Sequence, residues 1–248
     1  MNHNKIMKQN HIKTNSFQAW LLAARPKTLS GAAVPVMIGA ALAWADSTPA
    51  HPFQVMPAVL CLLFAFAMQI DANLVNDLFD YLGGRDDRQT RLGPPRASTE
   101  GWTTPRAMRR AIILVTLVAC ALGLPLIAYG GLEMVLVGIL CVAFCFLYTT
   151  CLAGMGLGDV LVLVFFGVVP VSLTYYLQHH TCTWTVFTAS VACGLVIDGL
   201  LIVNNFRDRD TDRAVGKNTL VVRIGAEPSL AVYLSLGVVA WIMDAAVF

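Results

Sequence analysis

Two short stretches of this 248-residue chain gather side chains that could do chemistry. The first reads Asp71-Ala72-Asn73-Leu74-Val75-Asn76-Asp77-Leu78-Phe79-Asp80, with Asp86 and Asp87 close behind it. On a helix, Asn73, Asn76, Asp77 and Asp80 stand at i, i+3, i+4 and i+7, which is one face. The second reads Asn204-Asn205-Phe206-Arg207-Asp208-Arg209-Asp210-Thr211-Asp212, where Asn204, Asp208 and Asp212 form nearly one stripe at i, i+4 and i+8. Carboxylates crowded on one helix face repel each other, and near a membrane they also carry a desolvation cost. A bound cation offsets both. Hard oxygen donors such as these suit magnesium, which takes one or two carboxylates and leaves its other positions to water and phosphate oxygens.

Arg25, Arg91, Arg96, Arg207 and Lys217 lie in the same segments as the acidic clusters. Carboxylates alone would suit a cation site. Carboxylates with Arg and Lys suit a diphosphate, held through metal on one side and directly on the other. Beside lipid, that points to a polyprenyl diphosphate with its head at the interface and its tail between helices. One acidic cluster at a helix end is commonly solvated surface. Two with matching Asn-x-x-x-Asp spacing weaken that reading, although the residues alone name no substrate.

The elements that must position these groups are membrane helices. The chain is 57% hydrophobic and 13% charged, against about 25% charged in a soluble domain. Apolar stretches run at 29–45, 56–76, 111–129, 133–150, 158–177, 185–206 and 229–248. Each is long enough to cross about 30 Å of hydrocarbon as a helix, the natural choice where backbone groups must be satisfied within the segment. The expectation is an all-α, multi-pass bundle of seven spans. Residues 1–28 form a cytoplasmic and interfacial segment, residues 29–248 the transmembrane domain, and no second, soluble domain is visible.

Charge sets the orientation. Lys5, Lys8, Lys13, Arg25 and Lys27 precede the first span, seven arginines lie between the second and third, and Arg207, Arg209, Arg213, Lys217 and Arg223 follow the sixth; these are all 17 Lys and Arg residues. They share one side if the spans alternate, and by the positive-inside rule that side is cytoplasmic. Arg106, Arg109 and Arg110 read as topology determinants. The stretch 16–22 reads as an interfacial helix with Phe17, Trp20 and Leu21 toward lipid. The seven cysteines lack paired ligand spacing, so Cys141 and Cys145 read as packing. His179 and His180 read as solvated residues of a short outer loop. Asp71 and Asp198 lie within apolar spans, where an acid faces the bundle or a cavity. They either line an aromatic substrate's path or make structural hydrogen bonds.

With these residues in view, the chain resembles the UbiA superfamily of intramembrane prenyltransferases. Asn76-Asp77-x-x-Asp80 and Asn204-x-x-x-Asp208-x-x-x-Asp212 match its two aspartate-rich motifs. Within that superfamily the chain is most similar to the branch that prenylates 1,4-dihydroxy-2-naphthoate. Four stretches carry the likeness: Arg25-Pro26-Lys27-Thr28-Leu29; Asn73 to Asp77 with Arg91-Leu92-Gly93-Pro94-Pro95-Arg96-Ala97; Gly156-Leu157-Gly158-Asp159 running into Val164-Phe165-Phe166-Gly167; and Asn204 to Asp208 through Gly216-Lys217-Asn218-Thr219-Leu220-Val221-Val222-Arg223. Gly154-x-Gly156-x-Gly158 taken alone is equally a tight inter-helix turn.

The resemblance implies a nine-span horseshoe around a central cavity, so seven spans are expected to represent a chain shortened at its C-terminus. It implies Mg2+ held by Asn76, Asp77, Asp80, Asn204, Asp208 and Asp212, with Asp80, Asp208 and Asp212 catalytic. Arg25, Lys27, Arg91, Arg207 and Lys217 would contact the diphosphate, and Asn73 and Tyr148 the aromatic acceptor or the allylic cation. Polyprenyl diphosphate, 1,4-dihydroxy-2-naphthoate and the lipid bilayer are the implied partners, with no nucleic acid. The implied reaction joins prenyl group to ring with loss of carbon dioxide, on the cytoplasmic face of the inner membrane. The rivals are another acceptor such as 4-hydroxybenzoate, an inactive homologue that only binds lipid diphosphate, and a cation transporter using the intramembrane acids. Transporter sites, however, usually lie near the midplane rather than at one face.

Overall fold

The computed structural model describes residues 12–245, so Lys5, Lys8 and the last three residues of the seventh predicted span lie outside the described part. Helices α1 (Phe17–Ala24) and α2 (Leu29–Ala45) are joined by a tight turn. Then come α3 (Val55–Leu82), α4 (Pro105–Gly130), α5 (Glu133–Met155), α6 (Gly158–His179), α7 (Trp184–Ala214), the short α8 (Leu220–Ile224) and α9 (Ala226–Ala245). Among the described residues there is no strand. Counting α1 with α2, seven helices among the described residues are long and apolar enough to cross a membrane, as expected.

Polar caps start several of them. Ser16 accepts the N–H of Ala19 to open α1, Thr183 that of Val186 to open α7, and Thr219 that of Val222 to open α8. Thr104 does the same for α4, with Pro105 placed where a missing N–H costs nothing. Outward-facing residues such as Ile113, Leu114 and Leu117 stay exposed, as a lipid-facing surface requires.

Helices α3 and α7 overrun their apolar stretches. The sequence marks the spans as ending at 76 and 206, but the helices continue to Leu82 and Ala214. At 31 residues, α7 is about 46 Å long, roughly 16 Å more than the hydrocarbon needs. Loss of hydropathy marks the membrane boundary; the backbone ladder simply runs on. The surplus turns carry both aspartate clusters, so the clusters are held on rigid helix rather than loop.

Two readings of flanking residues need correction. In α1, Phe17 and Leu21 are exposed, but Trp20 turns inward, against a cluster that includes Ala19, Ala23, Leu74, Leu78 and Met108. His179 belongs to the last turn of α6 and is not loose in a loop. Its Nε2 lies 2.9 Å from the Ala43 carbonyl oxygen, and its ring packs on Tyr175.

Close helix contact is built on glycine. A Cβ on Gly167 would lie 2.5 Å from the Gly194 Cα, so α6 and α7 touch backbone to backbone there. Helix α9 packs along α7. Residues of α1 to α7 surround a central cavity of about 1350 Å³, the arrangement the resemblance implies.

Candidate functional site

The cavity has two kinds of wall. Its depth is apolar, with Phe64, Met68, Phe144, Phe165 and Phe166 among the lining side chains. Its charged end is lined by Asn76 and Asp80 from α3, Asn204, Arg207 and Asp208 from α7, Arg25 and Lys27 from the α1–α2 turn, and Lys217. A small cavity of about 50 Å³ shares this rim and brings Asp80, Asp208 and Asp212 around one space with Arg91, Arg96 and Lys217. The two clusters, over 120 residues apart in sequence, therefore converge.

The segment between α3 and α4 folds back across this end. Arg96 bridges two carboxylates, at 3.0 Å from Asp80 and 2.7 Å from Asp86, and Arg91 also pairs with Asp86. Arg85 lies 3.8 Å from the other Asp80 oxygen. Burial, and Arg96 beside it, hold the Arg91 guanidinium below its usual pKa, with Asp86 and Asp208 pulling the other way. On α7, Arg207 makes a two-bond pair with Asp208 at 2.7 and 2.6 Å, and Lys217 lies 3.6 Å from Asp212.

The structure corrects two members of the first cluster. Asp77 is fully buried and accepts the backbone N–H groups of Ala97 at 2.8 Å and Ser98 at 2.9 Å. It lines neither cavity. At i+4 from Asn73 it turns away from the stripe made by Asn73, Asn76 and Asp80, so it anchors the crossing segment and is not placed as a metal ligand. Asn73 does line the cavity, but its amide is already committed. Its Nδ2 donates to the Ala24 carbonyl oxygen at 3.0 Å and to the Thr28 hydroxyl at 2.9 Å. It holds the α1–α2 turn, and its Oδ1 meets only Gln69 Nε2, at 3.4 Å.

Tyr148 lines the cavity at the charged end of α5, where the helix widens into a π turn over Tyr148–Leu152. Gly156 holds φ +75°, and its turn is pinned by Asn218 N–H on the Gly154 carbonyl oxygen, so the glycine triplet is an inter-helix turn. Asp71 bonds to the Thr116 hydroxyl at 2.7 Å, and neither Asp71 nor Asp198 lines the cavity. Cys141 and Cys145 both line it. Sequence reasoning missed Gln69, one turn before Asn73 on the cavity face of α3. Its period with Asn73 and Asn76, at i, i+4 and i+7, was the available signal.

Do these residues fit magnesium? Among the described residues no group of three or more His, Cys, Asp or Glu stands close enough to hold a metal ion by itself. The donor set is instead two half-sites, Asn76 with Asp80 and Asn204 with Asp208 and Asp212. That suits an ion taking one or two carboxylates plus water and phosphate oxygens. Asp212 Oδ2 is buried with no hydrogen-bond partner, an oxygen that calls for a cation. The residues fit.

Fold and site together define a helical membrane protein that keeps an apolar chamber under a mixed acid, amide and base rim. The UbiA prenyltransferase family profile matches residues 32–248, and the chain belongs to that family. It is 39% identical over 217 residues to the 1,4-dihydroxy-2-naphthoate octaprenyltransferase of Escherichia coli (strain K12), covering 84% of this chain and 69% of that protein. To the Mycobacterium tuberculosis protein of the same name it is 34% identical over 232 residues, covering 92% and 77%. In fold it matches a UbiA homologue from Archaeoglobus fulgidus bound to GPP and Mg2+, with TM-score 0.66, 17% identity, and coverage of 92% of this chain and 77% of that one.

Proposed function

We propose that the protein transfers a polyprenyl group from polyprenyl diphosphate to 1,4-dihydroxy-2-naphthoate, with loss of carbon dioxide. The product would be demethylmenaquinol, in menaquinone biosynthesis. The enzyme would depend on magnesium and sit in the cytoplasmic membrane with its site toward the cytoplasm, where the basic segments lie. The names of the relatives support the acceptor. The observation that carries the reading is the charged rim opening directly onto the apolar chamber. A diphosphate head and a hydrocarbon tail need those two environments side by side.

Asn76, Asp80, Asn204, Asp208 and Asp212 would hold magnesium, which when bound neutralises charge on the diphosphate as it leaves. Lys27, Arg91, Arg207 and Lys217 would meet the diphosphate oxygens directly, with Arg25 on the same rim. The allylic C–O bond breaks and its electron pair departs with the diphosphate. The ring carbon bearing the carboxylate forms the new C–C bond, and the carboxylate leaves as carbon dioxide, its electrons restoring the aromatic ring. Tyr148, which lines the cavity, would shield the allylic cation with its ring. The apolar wall keeps water from quenching it.

The test is prenyl transfer by the detergent-solubilised protein with magnesium, a polyprenyl diphosphate and either 1,4-dihydroxy-2-naphthoate or 4-hydroxybenzoate. Prenylated naphthoquinol with carbon dioxide released is the expected result. Product from 4-hydroxybenzoate alone would overturn the acceptor.

A further inference from the structure

The turn between α1 and α2 is one that its own residues disfavour. Arg25 holds φ 50° and ψ 66°, the left-handed region in which a side-chain Cβ is crowded. Pro26 follows and has no N–H to give. Ala24 ends α1, so its carbonyl needs a donor from outside the helix. A non-glycine residue stays in such a conformation only where its surroundings over-determine it.

Three side chains do so. Thr28 donates its hydroxyl to the Arg25 carbonyl oxygen at 2.9 Å. That hydroxyl oxygen in turn accepts Asn73 Nδ2 at 2.9 Å and Gln69 Nε2 at 3.2 Å. Asn73 Nδ2 also reaches the Ala24 carbonyl oxygen at 3.0 Å, and Gln69 lies 3.4 Å from the Asn73 oxygen. The strained peptide is thus tied from both sides to α3. Gln69 and Asn73 share the face that carries Asn76 and Asp80, so the turn is referenced to the proposed metal ligands. The outcome is visible at the guanidinium: Arg25 lines the cavity, and its Nη2 is buried with no hydrogen-bond partner. Its charged neighbours are Arg96, Asp77, Arg91 and Asp86. Both carboxylates are already engaged, Asp77 by backbone N–H groups and Asp86 by the two arginines, which leaves the unpaired N–H to an incoming anion.

We propose that Thr28, Asn73 and Gln69 are positioning residues that hold Arg25 in its left-handed conformation so that its free guanidinium N–H meets a substrate oxyanion. This rests on the proposed function, whose two substrates bring a diphosphate and a ring carboxylate. The shared chemistry is an anionic oxygen, and the test separates the sources.

The test is a double-mutant cycle on the detergent-purified full chain, with binding of inorganic diphosphate and of 1-hydroxy-2-naphthoate each measured by calorimetry in EDTA. Arg25→Ala and Thr28→Val should each weaken the same one of these anions, by about tenfold, a usual coupling within one hydrogen-bond network. The double variant should be no worse than Arg25→Ala alone. Thr28→Ser, which keeps the hydroxyl, should restore wild-type affinity, and the melting temperature of each variant reports folding. Multiplying losses, or a Thr28→Val protein that binds both anions like wild type, would overturn the proposal. Because binding is read without turnover, an inactive wild type would count against the proposed function and leave this inference to stand or fall by the cycle.

Discussion

The carboxylate of Asp77 accepts the backbone N–H of Ala97 at 2.8 Å, and so ties the helix that carries the first aspartate cluster to the segment that crosses over it. Ser98 donates to the other oxygen of the same carboxylate. One side chain therefore fixes where Arg96, next in sequence to Ala97, can reach Asp80 and Asp86.

Replacing Asp77 should accordingly damage structure before chemistry. Asp77→Ala strands two buried N–H groups and should cost about 2–3 kcal/mol. The crossing segment should also become open to trypsin at Arg88 and Arg91. Thermal melting in detergent and limited proteolysis check this. A variant with wild-type melting and wild-type protease resistance, but without transfer, would return Asp77 to the metal site.

Asp80 and Asp208 carry the opposite expectation. Asp80→Ala and Asp208→Ala should each reduce transfer at least about a hundredfold, the usual loss when one preorganised charge-stabilising group is removed. EDTA should abolish the wild-type rate and magnesium should restore it. Wild-type turnover in either variant would remove the metal role from that residue.

Lys217 faces both cavities and lies 3.6 Å from Asp212. Its ammonium can meet a diphosphate only as a point charge, so Lys217→Ala should raise the apparent KM for the prenyl donor about tenfold and leave that for the acceptor near wild type. Steady-state kinetics with each substrate varied in turn checks this. Equal effects on both would place Lys217 in the scaffold.

Much of this was legible in the sequence because lipid leaves few options. Apolar runs of spanning length and one-sided Lys and Arg gave seven helices and the charged end. Helical spacing put Asn76 with Asp80 and Asn204 with Asp208 and Asp212. What it could not give was direction within a face. Asn73, Asn76, Asp77 and Asp80 span a broad arc, and only packing decides that Asp77 points at backbone while its neighbours point at the cavity. Arg25 was legible as a cation, but its left-handed backbone depends on Asn73 and Gln69, more than 40 residues away. No local pattern carries that.

Gly93 joins the crossing segment to the second cluster. A Cβ there would lie 2.7 Å from Arg207 Nη2, the nitrogen that pairs with Asp208. Gly93 has no positive φ, so alanine is allowed by the backbone, and the obstacle is the tip of a flexible side chain. Gly93→Ala should therefore leave the melting temperature within a few degrees, a change under about 1 kcal/mol, while transfer falls severalfold as Arg207 is displaced. Unchanged kinetics would show that Arg207 need not hold this position.

Asp71 tests whether the intramembrane acids belong to the reaction. It is fully buried, accepts the Thr116 hydroxyl at 2.7 Å across α3 and α4, and lines neither cavity. A carboxylate that only receives one hydroxyl can be replaced by an amide oxygen in the same place, whereas an empty methyl leaves the Thr116 hydroxyl with only its own helix's Ile112 carbonyl oxygen. Asp71→Asn should therefore keep transfer within about twofold and stability within about 1 kcal/mol, and Asp71→Ala should lower stability by about 1–3 kcal/mol without a matching loss of turnover per folded molecule. Transfer rates normalised to folded protein separate the outcomes. A hundredfold loss in Asp71→Asn would mean that the acid itself is needed. Ion flux in liposomes that vanishes with the same substitution would favour transport over transfer.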